Sequence, residues 1–262
     1  LANHKRCVMK LLPFLYQVGG SHLTHEEDAS SYLVVSDPPV LIDCGTPKGL
    51  DNLLENLSSI GVPVSSLGLL IGTHCHYDHI GAAQAIKELS RVEFWLHSED
   101  AQAAELGDPD LTAAGFFYNL DFPRVQVDRK LNSETRFRYV DYEFTIVHTP
   151  GHTPGGVSIL VTWKNFTVLI AGDTLWGGYH PKIGSDIDRW HDSLERLEQY
   201  AFDVLVWGHS GSVIFGDAQQ RLKEAKESLG QYYVPFRTPM FAEHRYCGNP
   251  LAPGRVEYPP VP

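Results

Sequence analysis

Long apolar stretches are missing from this chain. No run approaches the ~20 residues that a membrane-spanning helix needs, so the sequence offers no candidate span. Positive charge is scarce as well: 21 lysines and arginines face 32 aspartates and glutamates, a formal net charge of −11 at pH 7. No basic stripe interrupts that acidity, which argues against a nucleic-acid partner. Cysteine is sparse and scattered. Cys7, Cys44, Cys75 and Cys247 form no C-x-x-C pair, which reads as reduced thiols of a cytoplasmic protein rather than a disulfide framework, one bridge remaining compatible. No repeat of solenoid type is present. The first residue is Leu1, not methionine, so a trimmed or processed start is also compatible with the sequence.

What is present is ordinary in bulk and uneven in detail. The 262 residues are 43% apolar and 20% charged, enough for one large domain with a sizeable core. Residues 1–10 read as a loose polar arm, and Leu11–Val18, Tyr32–Val35 and Val40–Asp43 as strands. Thr46 and Pro47 open a helix in which Leu50, Leu53, Leu54, Leu57 and Ile60 recur at helical spacing until Gly61. A buried strand over 67–72, a helix over 80–89, a strand over 92–97 and a short helix from Ser98 to Leu106 follow. Gly107–Val125 breaks this rhythm with two prolines and the rings of Phe116, Phe117, Tyr118 and Phe122, either core packing or a pocket lid. Strands return over 136–139, 142–148, 156–162 and 166–171, then a helix with Trp190, Leu194, Leu197 and Ala201 on one face, a strand over 203–207 and a last helix from Asp217. Two blocks of similar order predict an α/β sandwich: two β-sheets face to face with helices outside. The domain is expected to span 1–233, with a proline-rich tail over 234–262 strapped to its surface.

Chemistry concentrates at the strand ends. Thr73-His74-Cys75-His76-Tyr77-Asp78-His79 follows the apolar run Leu69-Leu70-Ile71-Gly72. His152 follows the strand over 142–148, Asp173 follows 166–171, and His209 follows 203–207. Each group is flanked by glycine, which lets backbone approach a crowded centre. Imidazole and carboxylate are the side chains that bind Zn2+ or Fe2+ at neutral pH. Five histidines and two aspartates are too many for one tetrahedral ion and suit two. Cys75 alternates away from the histidines as a structural thiol, and His148 is expected to form hydrogen bonds rather than ligate. Ser158 and Ser210 carry no surrounding motif and no role.

The pattern His-x-His-x-Asp-His, a lone His, a lone Asp and a last His, preceded by Asp43 in Leu41-Ile42-Asp43-Cys44-Gly45, resembles the metallo-β-lactamase-fold hydrolase superfamily from about Leu11 to Gly216. The resemblance implies an αββα sandwich of two mixed β-sheets. It implies that His74, His76 and His152 hold one metal, that Asp78, His79 and His209 hold a second, and that Asp173 bridges both. Asp43 would brace the histidine loop. The metals would be Zn2+, with Fe or Mn as alternatives. Two such ions about 3.5–4 Å apart share a water and lower its pKa toward neutrality. The bridging hydroxide would attack the carbonyl of a small ester, thioester, lactone or lactam, with Asp78 holding the nucleophile and shuttling a proton.

Within that superfamily Asp173 points to the glyoxalase II and lactonase branches, because true β-lactamases usually lack it as a ligand. The helical glutathione domain of glyoxalase II has no counterpart in the roughly 45 residues after Gly216, and the lactonase tyrosine is replaced by Trp176, with Tyr179 nearby. The expected pocket residues are His22, Phe116, Phe117, Tyr118, Trp176 and Tyr179. The partner is a small molecule, with neither nucleic acid nor membrane involved and the oligomeric state open. A mononuclear iron enzyme resembling the persulfide dioxygenases, and a β-lactamase, are the alternatives.

Overall fold

A computed structural model of the chain describes residues 8–175, 177–209 and 213–229. The first block contains β1 (Met9–Lys10), β2 (Leu15–Gly19), β3 (Ser31–Val34) and β4 (Val40–Ile42). It continues with α1 (Leu50–Ser59), β5 (Leu69–Ile71), α2 (Tyr77–Ile80), α3 (Ala83–Ser90) and β6 (Glu93–His97), then α4 (Ser98–Leu106), α5 (Ala114–Tyr118) and β7 (Arg129–Leu131). The second block contains β8 (Thr135–Tyr139), β9 (Tyr142–His148), β10 (Val157–Trp163) and β11 (Phe166–Ile170). It ends with α6 (Ile187–Leu197), β12 (Val204–Val206), β13 (Val213–Phe215) and α7 (Ala218–Ser228).

Strands β1 to β7 form one mixed sheet in chain order, antiparallel up to β4 and parallel from β4 to β7. The other sheet runs β13-β12-β11-β10-β9-β8 and is antiparallel except where β11 meets β12. Helices cover both outer faces, as the sandwich reading expects.

The period-2 alternation of side chains explains the layering. Val40, Ile42 and Ile71 of the first sheet pack against Ile159, Val161, Val168, Ile170, Val204 and Val206 of the second. The residues between them point outward. Leu41 and Leu70 meet Leu53, Leu57 and Ile86 of the helices, and Leu160, Leu169 and Leu205 meet Trp190, Leu194, Leu197 and Leu222. Branched Cβ atoms suit the pleated face between sheets, whereas the longer leucines reach into grooves between helices. Burying each such side chain contributes about 1.5–3 kcal/mol relative to exposure.

Several elements differ from the sequence reading. Met9 and Lys10, expected in a loose arm, pair with Gln17 and Tyr16. Strands β7 and β13 were not foreseen, since three residues carry too little alternation to register as a pattern. The helix expected over 80–89 starts at Ala83 as α3, the one-turn α2 in the histidine stretch before it was not foreseen, and α6 stops at Leu197, leaving Ala201 exposed. Residues 230–262, which include the expected tail, lie outside the described residues. No described helix is long and apolar enough to cross a membrane.

The two sheets also meet through an imidazole pair at their strand ends. His97 closes β6 and His148 closes β9, and their rings stack with centroids 3.7 Å apart and 14° between planes. Burial, and then the neighbouring His148, push the His97 imidazole down to about 4, and burial also lowers His148. The unfolded chain therefore binds more protons than the folded one between about pH 6.5 and 4, so stability falls as pH drops through that window. In urea unfolding, His97→Phe is expected to flatten this acid dependence relative to the wild type. Equal slopes in both proteins would contradict the assignment.

Candidate metal centre

Four strands deliver the candidate ligands to one rim. His74, His76, Asp78 and His79 leave β5, His152 leaves β9, Asp173 leaves β11 and His209 leaves β12. Asp43 leaves the neighbouring strand β4. Carboxyl ends of parallel strands are the usual place for sites in open α/β sheets. The packing there leaves no room for extra carbon: a Cβ at Gly208 would lie 1.9 Å from Asp173 Oδ1 and 2.8 Å from His79 Cε1. All these ligand candidates are buried except His209, which is part-exposed.

Hydrogen bonds aim the rings. Asp43 Oδ1 accepts from the Thr73 backbone N–H at 2.7 Å, and Asp43 Oδ2 accepts from the Thr73 hydroxyl at 2.7 Å and from His79 Nδ1 at 2.8 Å. With its proton given to Asp43, Thr73 Oγ1 accepts from His74 Nδ1 at 3.1 Å. His152 Nδ1 donates to the Gly178 carbonyl at 2.7 Å. Each of these three rings thus carries its proton on Nδ1 and leaves the Nε2 lone pair for the centre, the second-sphere logic of metal-bound histidine. Thr73 is a site residue that sequence reading missed. Its only signal is its position between the strand and the first histidine.

The donor atoms then converge. His152 Nε2 lies 3.0 Å from His76 Nδ1. Asp173 Oδ2 is 3.2 Å from His209 Nε2 and 3.5 Å from His152 Nε2, while Asp173 Oδ1 is 3.3 Å from His79 Nε2. Asp78 Oδ2 is 3.5 Å from His209 Nε2 and 3.8 Å from His79 Nε2. Ligands about 2.0 Å from a tetrahedral zinc are about 3.3 Å apart, so these separations fit the edges of such a polyhedron. His74 Nε2 is buried without a hydrogen-bond partner. An unpartnered buried polar atom costs about 1–3 kcal/mol, and a divalent ion would relieve that cost. Three triads qualify as metal-binding groups here: His74/His76/His152, His74/His79/Asp173 and Asp78/His79/His209.

Charge is distributed to match. Burial pushes the imidazoles of His74 and His76 well below their usual range, keeping them neutral. Burial acts the same way on His79 and His209, but the surrounding carboxylates, Asp173 foremost, outweigh it and raise both. Asp173 feels the converse: burial opposes its ionisation, yet His209 and His79 hold it well below the usual carboxylate range. A separate group, His97, Glu99 and His148, is unlike the centre. Its two rings are stacked, His148 Nε2 is engaged by the Pro154 carbonyl, and Glu99 pairs with Arg189 at 3.0 Å.

The expected pocket residues divide. A cleft over the centre is lined by His76, Asp78, His152, Asp173, Gly178 and His209 below and by Ala113, Phe117, Tyr118, Tyr179 and Ile183 at its wall. Phe117, Tyr118 and Tyr179 were foreseen, Ala113 and Ile183 were not; small and aliphatic residues carry no signal of their own. Phe116 stacks on His180 with centroids 4.6 Å apart and is not a lining residue. His22 is exposed and also lies outside the lining, because the turn that bears it faces solvent. Phe122 belongs to the core. Trp176 and Ser210 are outside the described residues. Cys75 is buried, with its thiol directed to the Leu111 carbonyl at 3.3 Å, and His148 Nε2 donates to the Pro154 carbonyl at 3.0 Å, both as expected.

The relatives of this two-sheet sandwich, with histidines and aspartates gathered at its strand ends, make it a metal-dependent hydrolase. The family model of the metallo-beta-lactamase superfamily matches residues 26–209, and the chain belongs to that superfamily. It is 30% identical to a probable metallo-hydrolase of Methanocaldococcus jannaschii, covering 69% of this chain and 87% of that protein. It is 33% identical to the hydroxyacylglutathione hydrolase GloC of Haemophilus influenzae, over 49% of this chain and 58% of that protein. Among solved structures, a B3 metallo-beta-lactamase with an active-site glutamic acid shares the fold at a TM-score of 0.72 and 19% identity, covering 90% of this chain and 91% of that one. The GOB-18 metallo-beta-lactamase from Elizabethkingia meningoseptica does so at 0.66 and 23% identity, with 94% of each chain covered.

Because Asp43 fixes two imidazoles, directly and through Thr73, Asp43→Asn is expected to weaken metal affinity about 10–100-fold. Chelator competition would measure this, and unchanged affinity would show that the rings orient without it.

Proposed function

We propose that this chain is a dinuclear metal-dependent hydrolase of small carbonyl substrates, whether ester, thioester, lactone or lactam, with the thioester of a small acyl group as first candidate. The observation that carries the reading is Asp173, whose two oxygens lie within 3.5 Å of donor nitrogens from both halves of the centre. His74, His76 and His152 would hold one ion, Asp78, His79 and His209 the other, and Asp173 would contact both. Zn2+ suits this nitrogen-rich set. Bound together, the ions would supply Lewis acidity and lower the pKa of a shared water toward neutrality. The similarity to GloC, a thioester hydrolase by name, favours a thioester over a lactam.

The chain's own residues do the rest. Asp78 lines the cleft and takes the proton of the attacking water. The Phe117, Tyr179 and Ile183 side chains exclude water around the reacting carbonyl. Burial, then the charges of Asp78, Glu27 and Asp173, push the Tyr118 phenol far up, so it keeps its proton. Tyr118 is therefore a hydrogen-bond donor at the wall, suited to the oxygen on which charge develops.

The deciding experiment is a hydrolysis panel of esters, thioesters, lactones and β-lactams run beside elemental analysis. Two ions per chain are expected, with thioester or ester turnover that chelation abolishes and Zn2+ restores. One iron per chain with oxygen uptake would overturn the reading. Asp78→Ala and His209→Ala should each reduce the metal content toward one ion and lower kcat by about 10²–10⁴-fold. Tyr118→Phe should keep both ions and lower kcat about 10²-fold with KM little changed; a full-rate variant would remove the phenol from the mechanism.

A further inference from the structure

Asp100 is a fully buried carboxylate that no step above uses. It sits in the first turn of α4, on a segment that contributes none of the seven candidate ligands of the centre. Its side chain reaches back between two ligand-bearing loops. Asp100 Oδ2 accepts from the backbone N–H of Cys75 at 2.9 Å, and Cys75 lies between His74 and His76. The same oxygen accepts from the hydroxyl of Thr153 at 2.8 Å, the residue after His152. Asp100 Oδ1 accepts from the backbone N–H of Gly155 at 2.6 Å. A Cβ at Gly155 would lie 2.6 Å from Asp100 Cγ, so the loop approaches this close only because that residue is glycine. All three partners donate, two of them from backbone that cannot reverse its role.

Asp43 braces His79 and His74 on one side of the centre. We infer that Asp100 is its counterpart on the other side, a positioning residue that fixes the spacing between the His74–His76 loop and the His152 loop and so tunes the affinity of the His74/His76/His152 ion. This rests on the two-ion reading above. An asparagine at position 100 would turn an amide N–H toward a partner that also donates, breaking the clasp while preserving the volume.

The test is Zn2+ titration of the full chain against a chromophoric chelator, with His152→Ala and His209→Ala as references that identify which ion each phase reports. Asp100→Asn and Thr153→Val are expected to weaken the ion assigned by His152→Ala about 10–100-fold, with the other ion unmoved and Thr153→Ser near wild type. A general loss of stability would weaken both ions together. Equal weakening of both, no weakening, or a Thr153→Val variant matching Thr153→Ser would overturn the inference. If Asp100→Asn fails to fold, the Thr153 pair decides it. A wild type that binds one ion refutes the two-ion reading separately; if His152→Ala removes that ion, Asp100 must still govern its affinity.

Discussion

Seven ligand-type side chains share a space from which most water is excluded, and the rest of the structure answers to that crowding. Such groups repel, attract and desolvate one another at once, and their balance holds only if each donor atom is fixed to within a few tenths of an ångström. Hence the centre is not left to loops alone. Every loop that carries a candidate ligand begins at a buried strand, and two carboxylates outside that set hold the loops: Asp43 ties the 73–79 loop to the end of β4, and Asp100 ties it to the loop after His152. The protonated Nδ1 atoms of His74, His79 and His152 are all engaged by neighbours, so the rings have one orientation to offer.

The sandwich supplies the stiffness this needs. Its inner layer is mostly valine and isoleucine, which have few rotamers to lose on packing, with Phe14, Leu69, Trp95 and Phe144 among them. Its outer layers use leucine against the helices, where shape has to accommodate curved neighbours. Because β11 and β12 run parallel, Asp173 and His209 emerge side by side from adjacent strands. His74 to His79 arrive from the facing sheet, and the cleft forms where the two sets meet.

Much of this was legible in the sequence, for a physical reason. Strands buried on both faces show as unbroken apolar runs, and ligand residues directly after such runs, beside glycine, mark the rim. Asp43, His74, His76, Asp78, His79, His152, Asp173 and His209 could all be read in that way. Long helices such as α6 were legible through Trp190, Leu194 and Leu197. What escaped was either too short or too indirect. Two- and three-residue strands such as β1, β7 and β13 exist because a neighbour presents an edge, which local pattern does not record. Thr73 and Asp100 matter through partners far away in the chain, and nothing in their own surroundings announces it. His22 was a candidate because the superfamily resemblance places its loop near the active site, but its turn faces solvent.

The wall of the cleft obeys a different rule from its floor. Helix α5 is bracketed by two non-glycine residues in the left-handed region, Ala113 at φ 59° and Asn119 at φ 53°. For alanine this conformation costs roughly 1–2 kcal/mol. The segment is rooted to the histidine loop by Tyr77 N–H bonding to the Thr112 carbonyl at 2.9 Å and to the core by Ala114 and Phe122. Between those roots no strand or candidate ligand depends on its sequence. Within it Ala114 is fixed by the core and Tyr118 by its packing on Tyr77, which leaves Phe117, 47% exposed at the cleft, as the position that could change to fit a different substrate while the floor stays as it is.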